Sequence, residues 1–301
     1  MSVTPLAAAH QPARPAPAFR GRIGRDARSG HYAVPRRYRL YLAAADPDCL
    51  RIAVVHSLLG LDTACPVTFL PAVPDCPDGG HSALRPLYDA SAHRYTGPAL
   101  APVLSDDWSG RIVSSHGPDI ARDLARRFGG GRPPLYPCGA ESQIEAVERM
   151  CALGIEAAAQ RAGAADAEET GRAAALDTLL GTLAVLERGL GAHLYLIDDQ
   201  ITASDVELWV ALVQLDTVHR FRLDAEAVQR IAEHPALWAY ARRLSALPAF
   251  GAHLDLDAVA RRRAARGQDL EAAGAAVLSW TGPPGPRRGG TGRVVTSPPA
   301  P

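Results

Sequence analysis

Tyr38-Arg39-Leu40-Tyr41-Leu42, followed by Asp46-Pro47-Asp48-Cys49 and then Leu50-Arg51-Ile52-Ala53-Val54-Val55-His56-Ser57-Leu58-Leu59-Gly60, is the stretch that decides the fold. Alternation of large apolar residues in the first segment reads as a strand, and the third has the apolar spacing and terminal glycine of a helix. Asp46 with Pro47 behind it is a favoured helix start. The carboxylate accepts a first-turn N–H, which contributes about 1 kcal/mol, and proline loses nothing at a position whose N–H has no helical partner.

Working outward, short apolar runs (Val67-Thr68-Phe69-Leu70, Val103-Leu104, Arg111-Ile112-Val113) alternate with helical patterns as far as Phe128, which predicts a small α/β sheet. From Ala140 to about Arg266 apolar residues recur at three- and four-residue spacing, as in Leu176, Leu179, Leu180, Leu183 and Leu186, and predict an all-helical half. Gly129-Gly130-Gly131-Arg132-Pro133-Pro134 separates the two as a linker and lacks the Lys-Ser/Thr of a phosphate loop. The organisation read from the sequence is an extended arm over 1–35, an α/β domain over 36–130, a helical domain over 138–268 and a tail without periodicity over 281–301. Arg261-Arg262-Arg263 reads as the solvated face of a helix end.

Composition narrows the function. A chain of 301 residues holds two domains, and its formal net charge of zero gives no electrostatic case for nucleic acid or an anionic membrane. No apolar window reaches the roughly 18 residues of a membrane helix. The five cysteines, Cys49, Cys65, Cys76, Cys138 and Cys151, have neither disulfide-framework nor zinc-ligand spacing, so free thiols in a reducing, cytoplasmic setting are expected. The chain contains no Lys and no Asn, which excludes Schiff-base lysine chemistry.

The strand, the Asp-Pro-x-Cys turn and the helix together resemble the opening of a thioredoxin-like domain in which the first Cys of Cys-Pro-x-x has become Asp46. Followed by an all-α half with Thr202-Ala203-Ser204-Asp205 as a helix-capping sequence, the whole resembles a glutathione transferase. The more specific resemblance, over residues 18–250, is to the Xi class, the glutathionyl-hydroquinone reductases. It rests on Arg37-Tyr38-Arg39-Leu40-Tyr41, Gly60-Leu61, Tyr95-Thr96-Gly97, Leu135-Tyr136-Pro137, Leu196-Ile197, Ser204-Asp205-Val206-Glu207-Leu208-Trp209 and Leu215-Asp216-Thr217-Val218-His219.

What this resemblance implies is a thiol site and a substrate site, both altered. Ala101-Pro102 matches the turn whose proline is cis and whose preceding residue binds the thiol substrate, and the Glu-Ser with which the family grips the γ-glutamyl end of glutathione falls on His116-Gly117, with Ser115 beside them as a further cofactor-binding candidate. Gln160 and His219 fall where the family has aromatic-site tyrosines, and Asp48 where it has Trp. Cys49, in the first helical turn with Arg51 nearby, is the candidate thiolate, although Asp46 and Asp48 oppose its ionisation; His219 is the candidate acid/base, with an ordinary pKa suited to neutral pH. The expected ligands are glutathione or another low-molecular-weight thiol and an electrophilic or aromatic small molecule, with no nucleic acid and no membrane, in a chain that a homodimer would suit. Three functions stay open: a thiol-dependent transferase or lyase, a non-catalytic ligand-binding protein, and a monothiol oxidoreductase using Cys49.

Overall fold

The computed structural model describes residues 19–129, 134–166, 168–191, 193–197, 199–267, 272–278 and 280. Most of the expected arm and all of the tail over 281–301 lie outside these residues. Strands Tyr38–Ala43 (β1), Val67–Leu70 (β2), Val103–Asp106 (β3) and Arg111–Ser114 (β4) form one sheet in the order β2-β1-β3-β4. β1 runs parallel to β2, with Leu40 opposite Val67, and antiparallel to β3, with Tyr41 opposite Val103; β3 is antiparallel to β4. Helices Pro47–Leu59 (α1), Arg85–Ser91 (α2) and Gly117–Arg127 (α3) complete a thioredoxin-like domain.

Register fixes where the site can be. The C-terminal end of β1, the start of β3 and the end of β4 meet at one end of the sheet, so Ala45–Asp48, Ala101-Pro102 and Ser115–Gly117 all emerge there. The Ala101–Pro102 peptide bond is cis, as the resemblance implies. At the other end of α1, Gly60 takes the left-handed φ of 61° that lets its N–H close the helix on His56 and Ser57.

The helical half follows: Glu141–Arg149 (α4), a π-helical turn Met150–Glu156, Ala157–Ala162 (α5), Glu169–Leu190 (α6), Ala203–Thr217 (α7), Ala225–Ala232 (α8), Pro235–Ser245 (α9), Pro248–Gly251 (α10) and Leu256–Ala265 (α11). α7 is apolar all round and central, with Val206, Leu208, Trp209, Val210, Leu212 and Val213 buried. Its capping box forms as the Thr202/Asp205 spacing predicts. Asp205 accepts from the Thr202 backbone N–H at 2.7 Å and from the Leu196 N–H and Tyr240 hydroxyl as well, so this buried carboxylate is fully satisfied. One hydrophobic core runs through both halves, because α1 packs against α3 on one side and α7 on the other.

Two segments beyond the expected domain limits are built into this core. Phe19–Gly21 lies along β4: the Ser115 N–H donates to Phe19 O at 2.9 Å and the Gly21 N–H to Val113 O at 2.8 Å. At the other end of the chain, buried Asp216 accepts from the Val277 and Leu278 N–H groups and from Trp280 Nε1 at 2.8 Å, and also pairs with Arg220. The Trp280 ring makes edge contacts with Trp209 and Trp238.

Candidate functional site

The sheet end described above faces the helical half across a cavity of about 170 Å³. Ala45 and Pro47 line it from the head of α1; Glu156 and Gln160 contribute from the π turn and α5; Gln214, Val218, His219 and Arg222 from the end of α7 and the 3-10 turn after it; Val259, Arg262 and Arg263 from α11 and Arg266 from just beyond it. Gln160 and His219 thus line the same cavity. Among the described residues lining the cavity are none of Cys49, Ala101, Pro102, Ser115, His116 or Gly117, so the expected residues divide between the cavity and the neighbouring sheet end.

Asp46 occupies the helix-entry position. It is 5 % exposed, caps α1 by accepting the Asp48 and Cys49 N–H groups, and its other oxygen lies 3.1 Å from Arg262 Nη2. Arg262 is therefore not part of a solvated face: of the arginine triplet, Arg261 points to solvent while Arg262 closes the interdomain boundary. Cys49 is turned the other way. Its sulfur accepts the Ala43 N–H at 3.3 Å and is only 2 % exposed within the core, so the expected open thiolate is not presented to the cavity. Arg51 does not face it as a counter-ion; the guanidinium is held by Asp48 at 2.6 Å and by Glu207, with Glu156 at 3.7 Å.

The site's electrostatics also differ from expectation. Burial, with the Arg222 charge beside it, pushes His219 down to about 4, so the imidazole is neutral at pH 7 and does not titrate near neutrality as its ordinary value suggested. Glu156 moves the other way, up to about 7: burial and the repulsion of Glu207 and Asp48 outweigh attraction by Arg51. The carboxyl that the sequence reading passed over is thus the cavity group whose titration falls at physiological pH. It terminates the Met150–Glu156 π turn, a widened helical turn of a kind often found at functional sites.

Where the resemblance puts the γ-glutamyl grip, the chain closes on itself. Ser115 Oγ contacts the Phe19 backbone, and His116 Nδ1 lies 2.8 Å from Asp119 Oδ2. Arg20 and Arg22 from the arm bind the same carboxylate; burial pushes Asp119 up, but these hydrogen bonds outweigh it and hold the group low. Gly117 lies directly under Asp48. A Cβ at 117 would sit 2.6 Å from the Asp48 Cβ and 2.7 Å from its Cγ, so a serine does not fit while Asp48 stands where it does.

Residues 157–243 match the family described as glutathione S-transferase, C-terminal domain. The chain is 27% identical over 270 residues to the glutathionyl-hydroquinone reductase YqjG of Escherichia coli, covering 81% of each. It is 28% identical over 226 residues, 69% of this chain and 72% of the relative, to the glutathionyl-hydroquinone reductase PcpF of Sphingobium chlorophenolicum. These matches support the glutathione S-transferase superfamily, near its Xi class. The solved Xi-class transferase of Natrialba magadii has the same fold, with a TM-score of 0.74 at 24% identity over 88% of this chain and 87% of that one. Among the described residues no helix is long and apolar enough to cross a membrane, no group of His, Cys, Asp and Glu could hold a metal ion, and none of the five cysteines forms a disulfide.

Proposed function

We propose that this chain is a thiol-dependent transferase or lyase rather than a glutathionyl-hydroquinone reductase. It takes a low-molecular-weight thiol, glutathione or another, at the Ala101–Gly117 end of the sheet and an electrophilic small molecule in the adjoining cavity. The observation that carries this reading is the side chain at the head of α1: a buried, capped and ion-paired Asp46 supplies no sulfur, and the nearest sulfur, Cys49, is packed in the core. A protein thiolate cannot attack from that position, so the attacking sulfur is the cofactor's own.

In the step proposed, the thiol sulfur bonds to an electrophilic carbon and its proton passes to Glu156. The electron pair of the attacked bond departs with a leaving group or, in an addition, is protonated from Glu156. A carboxyl titrating near 7 serves both directions of that transfer at neutral pH. Gln160, and His219 in its neutral form, supply hydrogen bonds that orient the substrate. Five cysteines without a disulfide support placing this chemistry in a reducing, cytoplasmic setting.

The test pairs two assays on the purified chain. A panel of thiols is screened by thermal shift, where a thiol at about 100 times its dissociation constant adds about 2.7 kcal/mol of stability; conjugation of aryl halides and enones is then followed with any thiol that shifts the melt. Thiol-dependent conjugation with no reduction of glutathionyl-hydroquinones is expected. Reduction at a rate comparable with the relatives, or a flat thiol panel, refutes the proposal.

A further inference from the structure

The cavity holds an unusual charge for a site meant to receive an apolar ring. Its lining contains four guanidinium groups, Arg222, Arg262, Arg263 and Arg266, and one carboxyl, Glu156. Asp46 accounts for Arg262 at 3.1 Å, and Arg263 is stacked 3.2 Å from the centre of the Phe221 ring. Arg222 is different: half-buried at the cavity wall, it has no carboxylate within ion-pair distance among the described residues.

Its position is also built. Gly163, at the end of α5, lets the chain after α7 come close, since a Cβ at 163 would lie 2.7 Å from the Arg222 Cβ and 3.3 Å from its carbonyl oxygen. Like charges gathered in a concave, partly apolar site raise the local potential and concentrate anions. Guanidinium groups suit carboxylates because their paired N–H donors match two oxygens. Ala45, Pro47, Val218 and Val259 supply apolar wall between the polar groups, which favours an organic ion over a bare inorganic one.

We propose that the electrophile or ligand of this cavity is a small organic carboxylate, its carboxylate group seated on Arg222 with Arg266 at the mouth and its carbon skeleton on the Ala45, Pro47, Val218 and Val259 wall. This names the substrate class of the cavity in the reading above and rests on it for the word substrate. The anion site itself stands without any thiol.

The test therefore omits the thiol. Benzoate and its neutral isostere benzamide are titrated calorimetrically into the full chain at pH 7 and low salt, with sodium sulfate as the inorganic competitor. Benzoate is expected to bind at least about tenfold more tightly than benzamide, the ratio appropriate to one charge-assisted hydrogen-bonded pair. Arg222→Gln should weaken benzoate about tenfold and leave benzamide within about twofold, and Arg222→Lys should keep part of the preference. Arg266→Gln, at the exposed residue just after α11, provides an independent variant with a smaller loss in the same direction. Equal binding of benzoate and benzamide, an unchanged ratio in folded Arg222→Gln and Arg266→Gln, or displacement of benzoate by equimolar sulfate overturns the inference. Carboxylate preference without thiol-dependent turnover would sink the transferase reading alone; conjugation of neutral electrophiles without carboxylate preference would sink this one alone.

Discussion

Replacing Gly117 by serine restores the residue type that the family resemblance puts at that position, and the structure says it should destabilise the chain. The new Cβ would lie 2.6 Å from the Asp48 Cβ, 2.7 Å from Cγ and 3.0 Å from Oδ2. Asp48 cannot simply swing away, because Arg51 Nη1 holds it at 2.6 Å and Arg51 is itself fixed by Glu207. Overpacking of this kind costs about 1–3 kcal/mol, while exchanging glycine for serine in a helix returns only about 0.5 kcal/mol. The net expectation is a loss of about 1.5 kcal/mol, read from the midpoint of urea unfolding at constant slope. Asp48→Gly removes all three clashing atoms. It has its own cost, but in the double variant the serine penalty should vanish, a coupling of about 1–2 kcal/mol. Glutathione affinity, measured by calorimetry, should rise in the double variant and not in Gly117→Ser alone. Additivity within about 0.5 kcal/mol would refute the claim that Asp48 and Gly117 close this position together.

Three further outcomes are expected. Glu156 keeps its proton in the folded chain up to about pH 7 but loses it in the unfolded chain near its ordinary 4.5, so stability should fall as pH rises between those values; melting curves of Glu156→Gln should coincide with wild type near pH 4 and lie above it at pH 8, and parallel profiles would refute the raised value. Iodoacetamide should label exposed Cys138 first and Cys76 next, with Cys49, Cys65 and Cys151 slower by about 100-fold or more because they are buried and, for Cys65, pushed up to about 12 by that burial; peptide mapping that finds Cys49 as fast as Cys138 would revive the monothiol reading. Trp280→Ala should cost about 3–5 kcal/mol in chemical denaturation, since it empties a site against Trp209 and Trp238 and removes a donor to buried Asp216, and a cost under about 1 kcal/mol would contradict the docking.

Local rules carried the reading of the fold a long way. The alternation at Tyr38–Leu42, the Asp46-Pro47 start and the Thr202/Asp205 spacing each encode their structure within a few residues, and each formed as read. The cis bond at Pro102 followed from resemblance, not from periodicity. What escaped depends on distance along the chain or on an irregularity that helical spacing hides. Asp46 and Arg262 are 216 residues apart, and nothing beside either one announces the pair. Glu156 looked like one more helical position, because a π turn changes which way a side chain points without changing its composition. Gln160 and His219 were found through the resemblance and do share the cavity, but the basic character of His219 could not be read without knowing how deeply it sits beside Arg222.

The docking of Val277, Leu278 and Trp280 onto Asp216 also bears on synthesis. α7 is the centre of the helical half, yet the carboxylate near its end gains three of its hydrogen bonds only from residues about 60 positions later. At roughly 5–20 residues per second, a ribosome leaves that buried acid incompletely satisfied for several seconds after α7 has emerged. The sheet domain waits as well, because Asp46 meets Arg262 only 216 residues later, so neither half is finished until the end of the helical half has emerged, and the Trp280 indole comes last.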